Sequence, residues 1–147
     1  MPQSFTITVS THAPRALVWS VFADIEAWGT FGEIYREANW KEGVPWTKGS
    51  WFTAELLRPV EVTVDHRILA CVPGERVNWS AHAIGVTIER LIEFKDASSG
   101  TEIKTSALIT GTPARDLGGE LGELLNRFTS GWYQDLAVEC DRRMRAG

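Results

Sequence analysis

The apolar positions of this chain change period once, and that change organises everything upstream of it. From about residue 113 to 145, Leu117, Leu121, Leu124, Leu125, Phe128, Trp132, Leu136 and Cys140 recur at steps of three and four, the spacing of one helix face. Thr112 and Pro113 are a suitable start, a hydroxyl cap followed by a residue with no amide hydrogen, and Arg142, Arg143 and Arg145 suit the carbonyl end. Before residue 111 the dominant period is two. Phe5, Ile7 and Val9 alternate with Thr6, Thr8 and Ser10, which predicts a half-buried strand that His12-Ala13-Pro14 ends. Leu17, Val18, Val21, Phe22 and Ile25 then form a short helical stripe, and Trp28-Gly29 with Phe31-Gly32 predict an irregular or short helical turn-around.

Strands are predicted next over 34–41, 50–57, 60–72, 77–83, 86–94 and 103–109. The 34–41 segment has no clear inward face, whereas Val60, Val62, Val64, His66, Ile68, Ala70 and Val72 take one side of the clearest strand. Gly and Pro punctuation marks 43–49 and 73–75 as turns, and a tryptophan at the tip of the first, Trp46, makes that loop a candidate lid. One strand, one or two short helices, about six hairpin-linked strands and a long terminal helix make an α+β domain over 1–147. A seven-stranded antiparallel sheet curls, and the helix can lie in its concave side with room for a cavity between them.

Composition narrows the function classes. A net charge of -4 and no basic run argue against nucleic acid, and no stretch is long enough for stable membrane insertion. The N-terminus lacks the pattern of a secretion signal, and Cys71 and Cys140 have apolar neighbours and no ligand spacing. Both are expected to be reduced core residues of a cytoplasmic protein with no metal and no cofactor. Seven tryptophans are unusual for a core of this size and fit either a walled cavity or a bulky interior.

Phosphate loops, HExxH and CxxC pairs and Gly-x-Ser-x-Gly elbows are all missing. His12 falls in a turn and His82 faces out, whereas His66 and Arg90 interrupt inward apolar faces. A buried arginine must be met by a carboxylate, several carbonyls or a polar ligand group: either Arg90 pairs with Glu37 or Glu55 or reaches solvent at its strand end, or it marks with His66 the polar end of a pocket that binds a carbonyl, phenolate or carboxylate. Of the glycines in the terminal helix, Gly118, Gly119 and Gly122 suggest loose first turns at the cavity entrance, bordered also by Gly43 to Gly49, and Gly131 suggests close packing on the sheet.

The element order, with Ile7-x-Val9, Ala13-Pro14-x-x-x-Val18-Trp19, Asp24, Trp28, Gly49-Ser50-x-Phe52, Glu75-Arg76-Val77-x-Trp79, Ile92-Glu93-Phe94 and Gly100-Thr101, resembles the helix-grip superfamily of START lipid-binding domains and the major birch-pollen allergen. Within it the chain looks most like the polyketide cyclase/dehydrase and lipid transport family. The resemblance implies a ligand-binding cavity; the apolar and aromatic inward lining then suits a small hydrophobic ligand, lipid- or polyketide-like, held by a carrier or sensor, and a monomer or homodimer is expected. The expected lining is His66, Arg90, Trp79, Trp46, Phe52, Ile68, Ile92, Phe128 and Trp132. Two alternatives stand beside it: a cyclase or dehydratase with His66 as its catalytic acid or base, and a protein-interaction module with a filled core.

Overall fold

The computed structural model describes residues 3–110 and 118–146, with side-chain surroundings for 4–110 and 121–146. Its strands are β1 Gln3–Thr11, β2 Tyr35–Glu42, β3 Trp51–Leu56, β4 Val62–Val72, β5 Arg76–Ala83, β6 Val86–Ala97 and β7 Gly100–Thr110. Helix α1, Arg15–Ala23, and a 3-10 turn, Ile25–Thr30, lie between β1 and β2, and helix α2 spans Gly118–Ala146. The expected Thr112–Pro113 start of α2 lies outside the described residues. The strands form one antiparallel sheet in the order β1-β7-β6-β5-β4-β3-β2, so every neighbour except β1–β7 is joined by a hairpin. This is the α+β helix-grip architecture, a curved sheet holding a long helix.

Local chemistry explains the joints. Pro14 has no amide hydrogen to lose, and its carbonyl accepts from Leu17 N and Val18 N at 3.0 and 3.1 Å to begin α1. The 3-10 turn is pinned by the Trp28 indole N–H, which donates to the Phe22 carbonyl at 2.9 Å. Gly29 is required there, because a Cβ would strike the Arg36 carbonyl. At the far end of α2, Asp141 Oδ1 accepts from Thr11 Oγ1 at 2.7 Å and from His12 N at 2.8 Å, tying the helix to the end of β1.

Two strands depart from simple alternation. In β2 the pairing with β3 shifts between Tyr35 and Glu37, so Tyr35 and Ala38 are both buried while Arg36 and Glu37 are exposed. The bulge accounts for the unreadable inward face, since no single period-two set fits it. In β4 a shift between Ile68 and Ala70 turns Ala70 outward, against the alternation predicted through Val72. Cys71 is left half-buried and Cys140 fully buried, both as thiols.

The glycines of α2 also differ from expectation. A Cβ on Gly122 would lie 2.8 Å from Ile109 Cγ2 and 3.5 Å from Val86 Cγ1, so this glycine lets α2 close onto the sheet instead of loosening it. Gly131 is exposed, with nothing within 4 Å of such a Cβ, and is not a packing glycine. Gly118 and Gly119 fall where side-chain surroundings are not described. The two described positions should therefore answer oppositely to alanine. Gly131→Ala is expected to raise stability by up to about 1 kcal/mol through helix propensity. Gly122→Ala should lower it by roughly 1 kcal/mol or more through overpacking against Ile109. Urea midpoints of the two variants check this, and a shared upward shift would show that Ile109 yields at no cost.

Candidate functional site

The sheet register sets two polar side chains in the concave face. His66 on β4 lies beside Phe52 on β3 and Ala81 on β5, while Arg90 on β6 lies beside Trp79 on β5 and Ala107 on β7. The two residues stand two strands apart, roughly 10 Å at the backbone. Both line a cavity of about 30 Å³, whose walls are Tyr35, Leu56, Val64, Trp79, Ala81, Ala83, Val86, Ile88, Leu125 and Thr129. That volume admits about two water molecules. The cavity runs toward the β5–β6 turn, where Ala83 and Val86 flank Ile84 and Gly85, both at positive φ.

Arg90 is 2 % exposed, and four neutral oxygens take its terminal N–H groups. Nη1 donates to Thr105 Oγ1 at 2.9 Å and Ser130 Oγ at 3.1 Å; Nη2 donates to Asn126 Oδ1 at 2.9 Å and Thr129 Oγ1 at 3.0 Å. The Tyr133 ring adds a cation-π contact at 5.7 Å. Asn126, Thr129, Ser130 and Tyr133 follow one another at steps of one helical turn or less, so α2 presents them as a single stripe. The expected carboxylate partners do not serve. Glu37 is exposed and Glu55 sits 3.9 Å from Arg36, because the two pair across β2 and β3 on the face opposite buried Phe52, Ala54 and Leu56. Among the described residues no carboxylate is paired with Arg90, and its Nε–H has no acceptor.

His66 is 3 % exposed and stacked face to face on Phe52, with centroids 4.4 Å apart, and edge-on to Trp79 at 5.0 Å. Burial lowers its pKa to about 3, helped by the nearby Arg90 charge and opposed by the Val64 carbonyl. The ring is therefore neutral at pH 7. The 3.2 Å contact of Nδ1 with the Val64 carbonyl requires a proton on Nδ1, which leaves Nε2 as an acceptor with no partner among the described residues. Tyr35 completes the polar set. Burial pushes its hydroxyl up to about 12, with Arg90 pulling the other way, and that hydroxyl bonds to no described protein group. Burial likewise raises Tyr133.

Of the expected lining, His66, Arg90 and Trp79 border the cavity. Trp46 does not: its indole N–H donates to the Ala23 carbonyl at 3.1 Å and its ring packs on Trp19, Phe22 and Trp40. The Gly43 to Gly49 loop thus plugs the α1 end of the core rather than covering the cavity. Trp132 is fully buried among Phe22, Trp28, Phe31, Tyr35 and Tyr133, while Phe52 backs His66. Ile68 and Ile92 are buried core, and half-buried Phe128 packs against that core. These residues leave the lining because bulky rings fill the space between α1 and the sheet. Sequence reasoning missed Tyr35, hidden by its bulge, and the polar stripe of α2, which a search for polar residues one turn apart beside the apolar face could have found. His12 and His82 are exposed, as expected, and His82 bonds to Ser80 and Thr87 on the outer face.

No family model matches the sequence, and no curated protein matches it. Solved structures do. The Zhui aromatase/cyclase from Streptomyces sp. R1128 superposes with a TM-score of 0.82 at 16% identity, covering 99% of this chain and 98% of that one. Ara h 8.0201 gives 0.77 at 13% identity, covering 95% and 98% of the two chains, and a START superfamily protein from Mycobacterium smegmatis gives 0.77 at 10%, covering 95% and 97%. The chain has the helix-grip fold of the START and birch-pollen-allergen-like superfamily, as its sequence markers implied. At these identities the likeness fixes architecture and leaves chemistry to the chain's own residues.

The neutral His66 makes stability depend on pH in a defined direction. The unfolded chain takes up this proton near 6.5, whereas the folded chain resists until about 3. Stability should therefore hold above pH 6.5 and fall as pH drops below it, by up to about 1.4 kcal/mol per unit. Between pH 6.5 and 5 ordinary carboxylates remain ionised, and Glu139, held at about 2 by Arg142, titrates far lower. Urea unfolding at pH 7, 6 and 5 should show that slope in the native sequence and lose most of it in His66→Phe. A flat profile for the native sequence would mean that the folded protein accommodates the imidazolium.

Proposed function

We propose that the protein binds a small, largely apolar molecule between the sheet and α2, as a carrier or sensor, with the molecule's polar group toward Arg90. The observation that carries this reading is a buried cation, uncompensated by any described carboxylate, at the edge of a largely apolar cavity. The small volume adds a condition: a ligand of more than a few atoms must displace Leu125 and Thr129 of α2 or the turn between Ala83 and Val86. No helix of the described residues is long and apolar enough to cross a membrane. The cyclase or dehydratase reading draws on the likeness to the Zhui aromatase/cyclase. A histidine that stays neutral down to about pH 3 is a weak base, and its one ring proton is engaged by the Val64 carbonyl, which favours binding over acid–base catalysis by His66.

Thermal unfolding with 1-octanol tests the location of binding. The native sequence should gain a few degrees at saturating probe. Leu125→Ala, which widens the cavity, should enlarge the shift, and Ala81→Leu, which fills it, should remove most of it. An undiminished shift in Ala81→Leu would place the probe elsewhere and sink the proposal.

A further inference from the structure

The chemistry around the cavity specifies more than an apolar guest. It rests on the binding reading above and concerns what the guest must carry. Arg90 is held in place by oxygens that satisfy its terminal hydrogen bonds without neutralising its charge. Hydroxyl and amide oxygens are dipoles, so the positive charge remains uncompensated in a low-dielectric space, and an anion entering the cavity meets it with little competition from water. The second requirement comes from across the cavity. His66 Nε2 offers only a lone pair, because Nδ1 is committed to the Val64 carbonyl. A lone pair facing a purely hydrocarbon or purely anionic guest stays unsatisfied and repels a carboxylate oxygen. Tyr35, with its hydroxyl bonded to no described group, can donate to an acid or accept from a hydroxyl.

We propose that the ligand is a hydroxy acid with an apolar chain: a monoanion whose acid group meets Arg90 and Tyr35 and whose hydroxyl donates to His66 Nε2. Cation, acceptor and phenol border one small cavity, so a single short molecule reaches all three.

Titration calorimetry with length-matched probes of four to ten carbons reads this directly: n-alkanoates, n-alkanols, and 2- and 3-hydroxyalkanoates. In the native sequence the alkanoates should bind at least tenfold more tightly than the alkanols, and one hydroxyalkanoate series should exceed the plain acids by a further threefold or more. Arg90→Met should abolish the preference for acids, and Arg90→Lys should retain part of it. His66→Phe should remove the hydroxyl increment, so that in this variant hydroxyalkanoates bind no more tightly than plain alkanoates of the same length. The comparison within the native sequence stands even if Arg90→Met fails to fold. Alkanols binding as tightly as alkanoates would overturn the inference, reduce Arg90 to a link between sheet and helix, and leave the cavity reading intact. Hydroxyl increments that survive His66→Phe would overturn the role of His66. If no probe of either charge binds, the cavity reading falls and the inference with it.

Discussion

The contact on which the rest of this structure depends is a guanidinium without a carboxylate. Arg90 projects from the middle of the sheet and is gripped by one strand residue, Thr105, and three helix residues, Asn126, Thr129 and Ser130. Each bond to a charged donor is worth about 1.5 to 3 kcal/mol in typical proteins. The set therefore fixes where α2 crosses the sheet and how it is rotated about its axis. Thr129 shows the degree of orientation: its hydroxyl donates back to the Leu125 carbonyl at 2.8 Å, so a lone pair faces Arg90. Rotating the helix by one residue would break several of these bonds together.

On either side of that contact the interior is divided. Toward α1, Trp28, Trp46, Trp132, Phe22 and Phe52 pack tilted or edge to face on one another, with centroids 4.8 to 6.3 Å apart. Toward the β5–β6 turn the lining residues are smaller, Ala81, Ala83, Val64 and Val86, and the cavity lies there. The choice between a walled cavity and a bulky core, posed by so many tryptophans, thus has a divided answer. Most of the rings are filling, and Trp79 alone of the seven faces the cavity.

The fold was legible because its signals are local and redundant. Strand alternation, Gly and Pro turns and the switch to helical spacing agree along the chain, so errors of two or three residues at strand ends do not change the topology. The polar interruptions at His66 and Arg90 were legible for the same reason, since each breaks a regular apolar face. What surrounds them was not. Partners of Arg90 come from 36 to 40 residues away on α2 and 15 away on β7, and nothing in a linear pattern says which neutral oxygens will meet a cation. Tyr35 was hidden by a bulge, which inserts a residue and destroys the parity on which face assignment relies. Trp46 was misplaced because a loop tip suggests a lid, whereas its indole finds a carbonyl on α1 and turns inward.

One further feature follows from the crowded side of the core. The indole N–H of Trp132 is fully buried and meets no hydrogen-bond acceptor among the described residues; rings of Trp28, Tyr35 and Tyr133 surround it instead. An indole in such surroundings has no water to relax its excited state, so its emission belongs at the blue end of the tryptophan range. Tyr35 and Tyr133 connect it to the cavity wall and to the Arg90 charge. Among seven tryptophans the molecule therefore holds one blue-emitting indole a single ring away from its candidate site, beneath the two tyrosines that reach the cavity wall and Arg90.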